Sequence, residues 1–158
     1  MEKILVADRK ESLCFLYKEE LTEEGYDVVT VTRPEDLVQA VVREDPDLVL
    51  MDTGMDEPGV WPLLRGMRQS GYRMPIILCD TYRISTEFPE ALVVDRVLKS
   101  SNFDELKAKI KKVLNNGGQS ISRDAVLRSK HLRKQVIPQV DAGLSRRRRG
   151  MMKPETRP

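Results

Sequence analysis

Four charged side chains stand where an open α/β fold does its chemistry. Asp8 closes the apolar run Ile4-Leu5-Val6-Ala7, Asp52 closes Leu48-Val49-Leu50-Met51, and Asp80 closes Pro75-Ile76-Ile77-Leu78-Cys79. Lys99 follows Leu92-Val93-Val94 and Val97-Leu98, a run interrupted by Asp95-Arg96. An apolar run of this length bounded by polar residues reads as a strand buried on both faces. A charged residue at its C-terminal end then lies on the sheet edge where such folds build their sites. Three carboxylates and one ammonium at successive strand ends predict a polar pocket that handles a charged group.

The elements that must position these groups follow from periodicity and punctuation. Residues 3–8 read as the first strand, 27–31 as the second, 47–51 as the third, 75–79 as the fourth and 93–98 as the fifth. Between the first two, residues 10–24 read as a helix with Leu13, Leu16, Tyr17 and Leu21 on one face, stopped by Gly25. Thr32-Arg33-Pro34-Glu35 has the form of a capping box with proline inside the start, and Asp45-Pro46 ends the helix that follows. Residues 52–59 are expected as a loop containing Gly54 and Gly59, and a helix from about 60 to 70 carries Leu63, Leu64 and Met67 up to Gly71. Residues 80–91 leave room for only a short helix. Asn102 with Glu105 caps a last helix striped by Phe103, Leu106, Ile110 and Val113. The pattern is β-α five times over, which right-handed crossovers turn into a doubly wound parallel sheet with helices on both faces.

Charge divides the chain of 158 residues in two. Residues 1–115 hold 16 Lys/Arg against 22 Asp/Glu, a net of −6; residues 116–158 hold 11 against 3, a net of +8. An acidic domain over 1–116 with a basic tail over 117–158 is the organisation this predicts. Ile121, Ala125, Leu132 and Val136 make a weak stripe up to Pro138, and the glycines and prolines beyond argue for disorder in most of the tail. No apolar stretch is long enough for a membrane span. The two cysteines, Cys14 and Cys79, read as reduced, buried residues of a cytoplasmic protein. Trp61 reads as a contact at a helix start. His131 is the single histidine, so no Ser-His-Asp or Cys-His set is expected, and the glycines form no phosphate-binding loop. Nothing points to an enzyme.

In order and spacing, residues 3–115 resemble the receiver domain of two-component response regulators. The resemblance rests on residues 3–8 (KILVAD), on 46–52 (PDLVLMD), on Gly54-Met55 to Gly59, on Met74-Pro75-Ile76-Ile77, and on Val97-Leu98-Lys99 before Asp104-Glu105-Leu106. It implies a five-stranded sheet of order 2-1-3-4-5 and a signalling switch in a phosphorelay. In that family the acid ending strand three accepts a phosphoryl group from a histidine kinase or phosphotransfer protein; here the matching residue is Asp52. Magnesium is held by the acids ending strands one and three and by a backbone carbonyl two residues beyond, places matched by Asp8, Asp52 and Gly54. Lys99 matches the lysine that pairs with the phosphoryl group. A weak carboxylate nucleophile depends on such charge neutralisation.

Several positions depart from the family pattern. The second acid after strand one is Arg9, and a guanidinium offers Mg²⁺ no oxygen ligand. The Ser or Thr ending strand four is Asp80, followed by Thr81. Arg96 stands where an aromatic is usual, and Ser100 where a proline is usual. Arg9 is expected to pair with Asp52 or Asp80 and set a fixed positive charge where the metal would be, bidentate pairing being its strength. Asp8, Asp52 and Asp80 against Arg9 and Lys99 then leave a formal charge of −1. Mg²⁺-dependent phosphorylation of Asp52 is expected to be weakened or lost. The chain reads first as a stand-alone receiver acting on a downstream protein. Its alternatives are a phosphorylation-independent docking module and a nucleic-acid-associated protein. For the tail, with Arg146-Arg147-Arg148-Arg149 at its densest, nucleic acid, an anionic membrane, an acidic protein and the acidic domain itself are the electrostatic partners to weigh.

Overall fold

A computed structural model of the chain describes residues 1–55, 60–69, 74–81 and 93–117. Within them the strands are β1 (Lys3–Ala7), β2 (Asp27–Val31), β3 (Leu48–Asp52), β4 (Ile76–Asp80) and β5 (Val93–Leu98). The helices are α1 (Glu11–Glu23), α2 (Pro34–Glu44), α3 (Val60–Gln69) and α4 (Asp104–Gly117), with a 3-10 turn at Thr53–Met55. Every strand pair is parallel, and the sheet order is β2-β1-β3-β4-β5. The five strands and their expected order are thus present, displaced by at most a residue or two at their ends.

Alternation along the buried strands builds two cores from one sheet. Leu5 and Ala7 of β1, Val49 and Met51 of β3, and Ile76 and Leu78 of β4 pack with α2 and α3 through Leu37, Val41, Leu64 and Met67. Their neighbours Ile4, Val6, Leu48, Leu50, Ile77 and Cys79 face the other way, onto Tyr17 and Leu21 of α1 and Leu106 and Ile110 of α4. This two-sided burial explains why β1, β3 and β4 are continuous apolar runs. β5 is an edge strand, which is why Asp95-Arg96 interrupts its sequence without ending it. Asp95 is met by Lys109 of α4 at 2.8 Å, and the same ammonium reaches the Arg96 carbonyl. The register slips at Ile76/Ile77, opposite the start of β5.

Helix ends follow their punctuation. Gly25 takes a φ of +92° after α1, and Asp45 a left-handed φ of 49° after α2, a geometry glycine and short polar residues accept most readily. The Asn102 side chain accepts the Asp104 N–H at 2.8 Å, capping α4. Pro34 opens α2, but its N-cap is Arg33 and no side chain caps it, so the expected box does not form. The α1 face is also phased differently from expectation. Cys14, Tyr17 and Leu21 are buried and Leu13 packs beside them, while Leu16 and Phe15 turn outward. Trp61, at the start of α3 as expected, is buried in the α2–α3 core. The expected features at Gly59, Gly71, residues 82–92 and the tail from 118 lie outside the described residues.

Cys14 and Cys79 are both free and buried, and burial raises both thiol pKa values, that of Cys79 to about 12. A disulfide-forming reagent at mildly alkaline pH is expected to modify them only as fast as the domain unfolds, and both at once in urea. Rapid labelling of the folded chain would contradict this packing.

Candidate functional site

The C-terminal ends of the inner strands converge on one rim. Asp8 follows β1, where its N–H donates to the Val31 carbonyl at 3.1 Å. Asp52 ends β3 and Asp80 ends β4. Lys99, one residue past β5, donates its N–H to the Asp80 carbonyl at 2.7 Å, which fixes where its side chain departs. The Lys99 ammonium meets an oxygen of Asp52 at 2.7 Å and one of Asp8 in a still shorter contact. Asp8 is only 2% exposed, so without a counter-ion its charge would be costly to bury. Its other oxygen accepts the Lys10 N–H at 2.9 Å.

Asp52 turns its second oxygen to the Gly54 N–H at 2.9 Å. The approach is close: a β-carbon built on Gly54 would lie 2.5 Å from that oxygen. Arg9 reaches the same turn from the other side, its Nε donating to the Gly54 carbonyl at 2.6 Å. Asp80 is 7% exposed and takes its counter-ion from Arg96 of the neighbouring strand at 3.3 Å. Asp8, Asp52 and Lys99 are therefore brought together as expected, with Arg9 beside them. Arg9 is expected to pair with Asp52 or Asp80; its Nε bonds the Gly54 carbonyl, and those two carboxylates meet Lys99 and Arg96. Arg96 is the member that sequence reading left out of the charge count. With it, three carboxylates face three cations among the described residues.

The oxygens that would serve a metal already accept N–H donors: both of Asp8, both of Asp52 and the Gly54 carbonyl. Among the described residues no group of three or more His, Cys, Asp or Glu side chains is placed to hold a metal ion. Mg²⁺ demands near-octahedral oxygen ligands, and a guanidinium on one of the three candidate ligands with an ammonium across the other two does not supply that. These residues, as arranged, do not fit the ion.

A family model described as the response regulator receiver domain matches residues 4–111. The chain belongs to this family. Receivers are signalling modules of two-component systems, and the fold agrees. The receiver TrrA of Thermotoga maritima, solved in complex with Mg²⁺ and BeF, is 34% identical, with a TM-score of 0.62 over 72% of this chain and 99% of that one. The same protein in complex with the histidine kinase ThkA gives a TM-score of 0.61, again at 34% identity. Among curated relatives, the alkaline phosphatase synthesis transcriptional regulatory protein PhoP of Bacillus subtilis is 28% identical over 118 residues, 72% of this chain and 48% of its own length. The transcriptional regulatory protein PcoR of Escherichia coli is 24% identical over 117 residues, 72% of this chain and 52% of its length. The receiver thus spans about half the length of the curated relatives it matches. Among the described residues no helix is long and apolar enough to cross a membrane.

Burial pulls the pKa of the Lys99 ammonium down, but its bonds to Asp52 and Asp8 outweigh this and raise it overall. A raised folded value means that its stabilisation is complete below the unfolded lysine pKa of about 10.4 and fades as pH climbs through the folded one. Urea unfolding across that alkaline range is expected to lose stability more steeply in the native receiver than in Lys99→Met; equal slopes would argue against the shared ammonium. At neutral pH the same substitution is expected to cost about 3 kcal/mol, because it leaves two carboxylates without their cation.

Proposed function

We propose that this receiver signals by protein contact and that its phosphoacceptor, Asp52, is held in a preset state by fixed cations. Lys99 and Arg9 neutralise the pocket from within, so Mg²⁺-dependent transfer of a phosphoryl group to Asp52 is suppressed. The observation that carries this reading is the bond from Arg9 Nε to the Gly54 carbonyl at 2.6 Å. It ties up the backbone oxygen through which a metal would bind, using the residue that replaces a metal-binding acid. Asp80 and its partner Arg96 add to it, since a carboxylate at the end of β4 repels a phosphoryl group rather than bonding it.

A histidine kinase or phosphotransfer protein is the upstream partner only if Asp52 is phosphorylated, and a downstream protein is the partner in either case. The solved pairing of TrrA with its kinase supports the first. A cytoplasmic location goes with it too, and the unbridged thiols of Cys14 and Cys79 support that.

Acetyl phosphate with Mg²⁺, followed by intact mass measurement, is expected to add little or no phosphoryl group to the native receiver. Arg9→Asp, at an exposed position, should gain one phosphoryl group, and Arg9→Asp combined with Asp52→Asn should lose it again. Efficient phosphorylation of the native chain would refute the proposal.

A further inference from the structure

The outward face of α1 has no assigned partner. Phe15 is 63% exposed there, on one stripe with Glu19 and Glu23, which follow it at successive turns. With Lys18 and Thr22 these residues line an open concavity of about 340 Å³. Glu20 and Glu24, on the adjoining face, are already neutralised by Lys107 and Lys111 of α4 at 3.0–3.3 Å. Glu19 and Glu23 form no ion pair among the described residues.

The contacts between α1 and α4 also fix a direction. Tyr17 meets Phe103 edge-on at 5.3 Å, Glu20 meets Lys107, and Glu24 meets Lys111. Both numbers rise together, so the helices run parallel. Gly117, the last residue of α4, therefore lies beyond the C-terminal end of α1. A chain leaving that point and returning along α1 would meet Glu23 first, then Glu19, then Phe15.

We propose that this face is the docking surface for residues 146–152 of the same chain. In that segment Arg146-Arg147-Arg148-Arg149 come first and Met151-Met152 follow, the order required for guanidinium groups to meet Glu23 and Glu19 and for thioethers to cover Phe15. Arginine forks suit carboxylates, and methionine makes favourable contact with aromatic rings. Charge complementarity holds on the larger scale as well, with a net of −6 over residues 1–115 and +8 over 116–158. Reach is sufficient. Residues 118–145 number 28, and even at the helical rise they would span about 42 Å, about twice the length of α1. This inference is independent of whether Asp52 is phosphorylated.

A nitroxide on Met152→Cys in the full chain tests it, because the two native thiols are buried. At about 0.05 M salt, backbone amide signals of residues 15–23 should lose most of their intensity, and they should recover near about 0.5 M salt, where exposed charges are screened. Glu19→Lys with Glu23→Lys should abolish the loss, and adding Arg147→Glu with Arg148→Glu should restore it. Loss of signal centred elsewhere, or none at all, overturns the proposal. So does loss that appears only when spin-labelled and isotope-labelled chains are mixed, which would mean a second copy. A tail that leaves α1 untouched while binding duplex DNA overturns it in favour of nucleic acid.

Discussion

One ammonium shared between two carboxylates organises the rim of this sheet. Three acids end three neighbouring strands, and Asp8 among them is almost wholly removed from water. Like charges gathered this closely destabilise the fold unless a cation lies between them. Lys99 meets that need from β5, two strands away from β3, because its backbone is anchored on the Asp80 carbonyl at 2.7 Å. The site thus depends on the parallel register of β4 and β5 as much as on the identity of its charged residues. The apolar runs that bury β1, β3 and β4 on both faces hold these ends level.

Around that pair the remaining charges close in balance. Arg96 answers Asp80, and Arg9 takes the Gly54 carbonyl. A tethered guanidinium differs from a bound divalent ion in one respect that matters for signalling: it cannot leave. On the proposed reading the electrostatics of the pocket do not follow the concentration of free Mg²⁺. A receiver built this way exchanges a switchable site for a constant one, and its communication rests on which surfaces it presents.

Much of this was legible in the sequence, for identifiable reasons. Strands buried on both faces leave continuous apolar runs, so β1, β3 and β4 were plain, and the charged residues closing them marked the rim. The sheet order came with the resemblance to receivers, and the strand pairings agree with it. The phase of α1 was misread because Leu16 fits a helical stripe as well as Cys14 does, and only packing against β1 and β2, where the Cys14 thiol meets the Asp8 and Val31 carbonyls, decides between them. The pairing of Arg96 with Asp80 was hidden for a different reason. It joins residues on separate strands across a shifted register, which no spacing along the chain reveals. Likewise the identity of Arg9 announced a lost metal ligand, whereas its bond to a backbone oxygen depends on the turn after β3.

That turn carries a consequence for how the pocket tolerates variation. Gly54 lies so near the Asp52 carboxylate that any larger residue must first rotate it off its seat, breaking the geometry that Lys99 recognises. Position 54 is therefore poorly suited to gradual tuning of the rim. Arg9 is different: it reaches in from the solvent side, on a long and exposed side chain. Adaptive change at this rim is channelled to the residue whose replacement disturbs the least of the framework behind it.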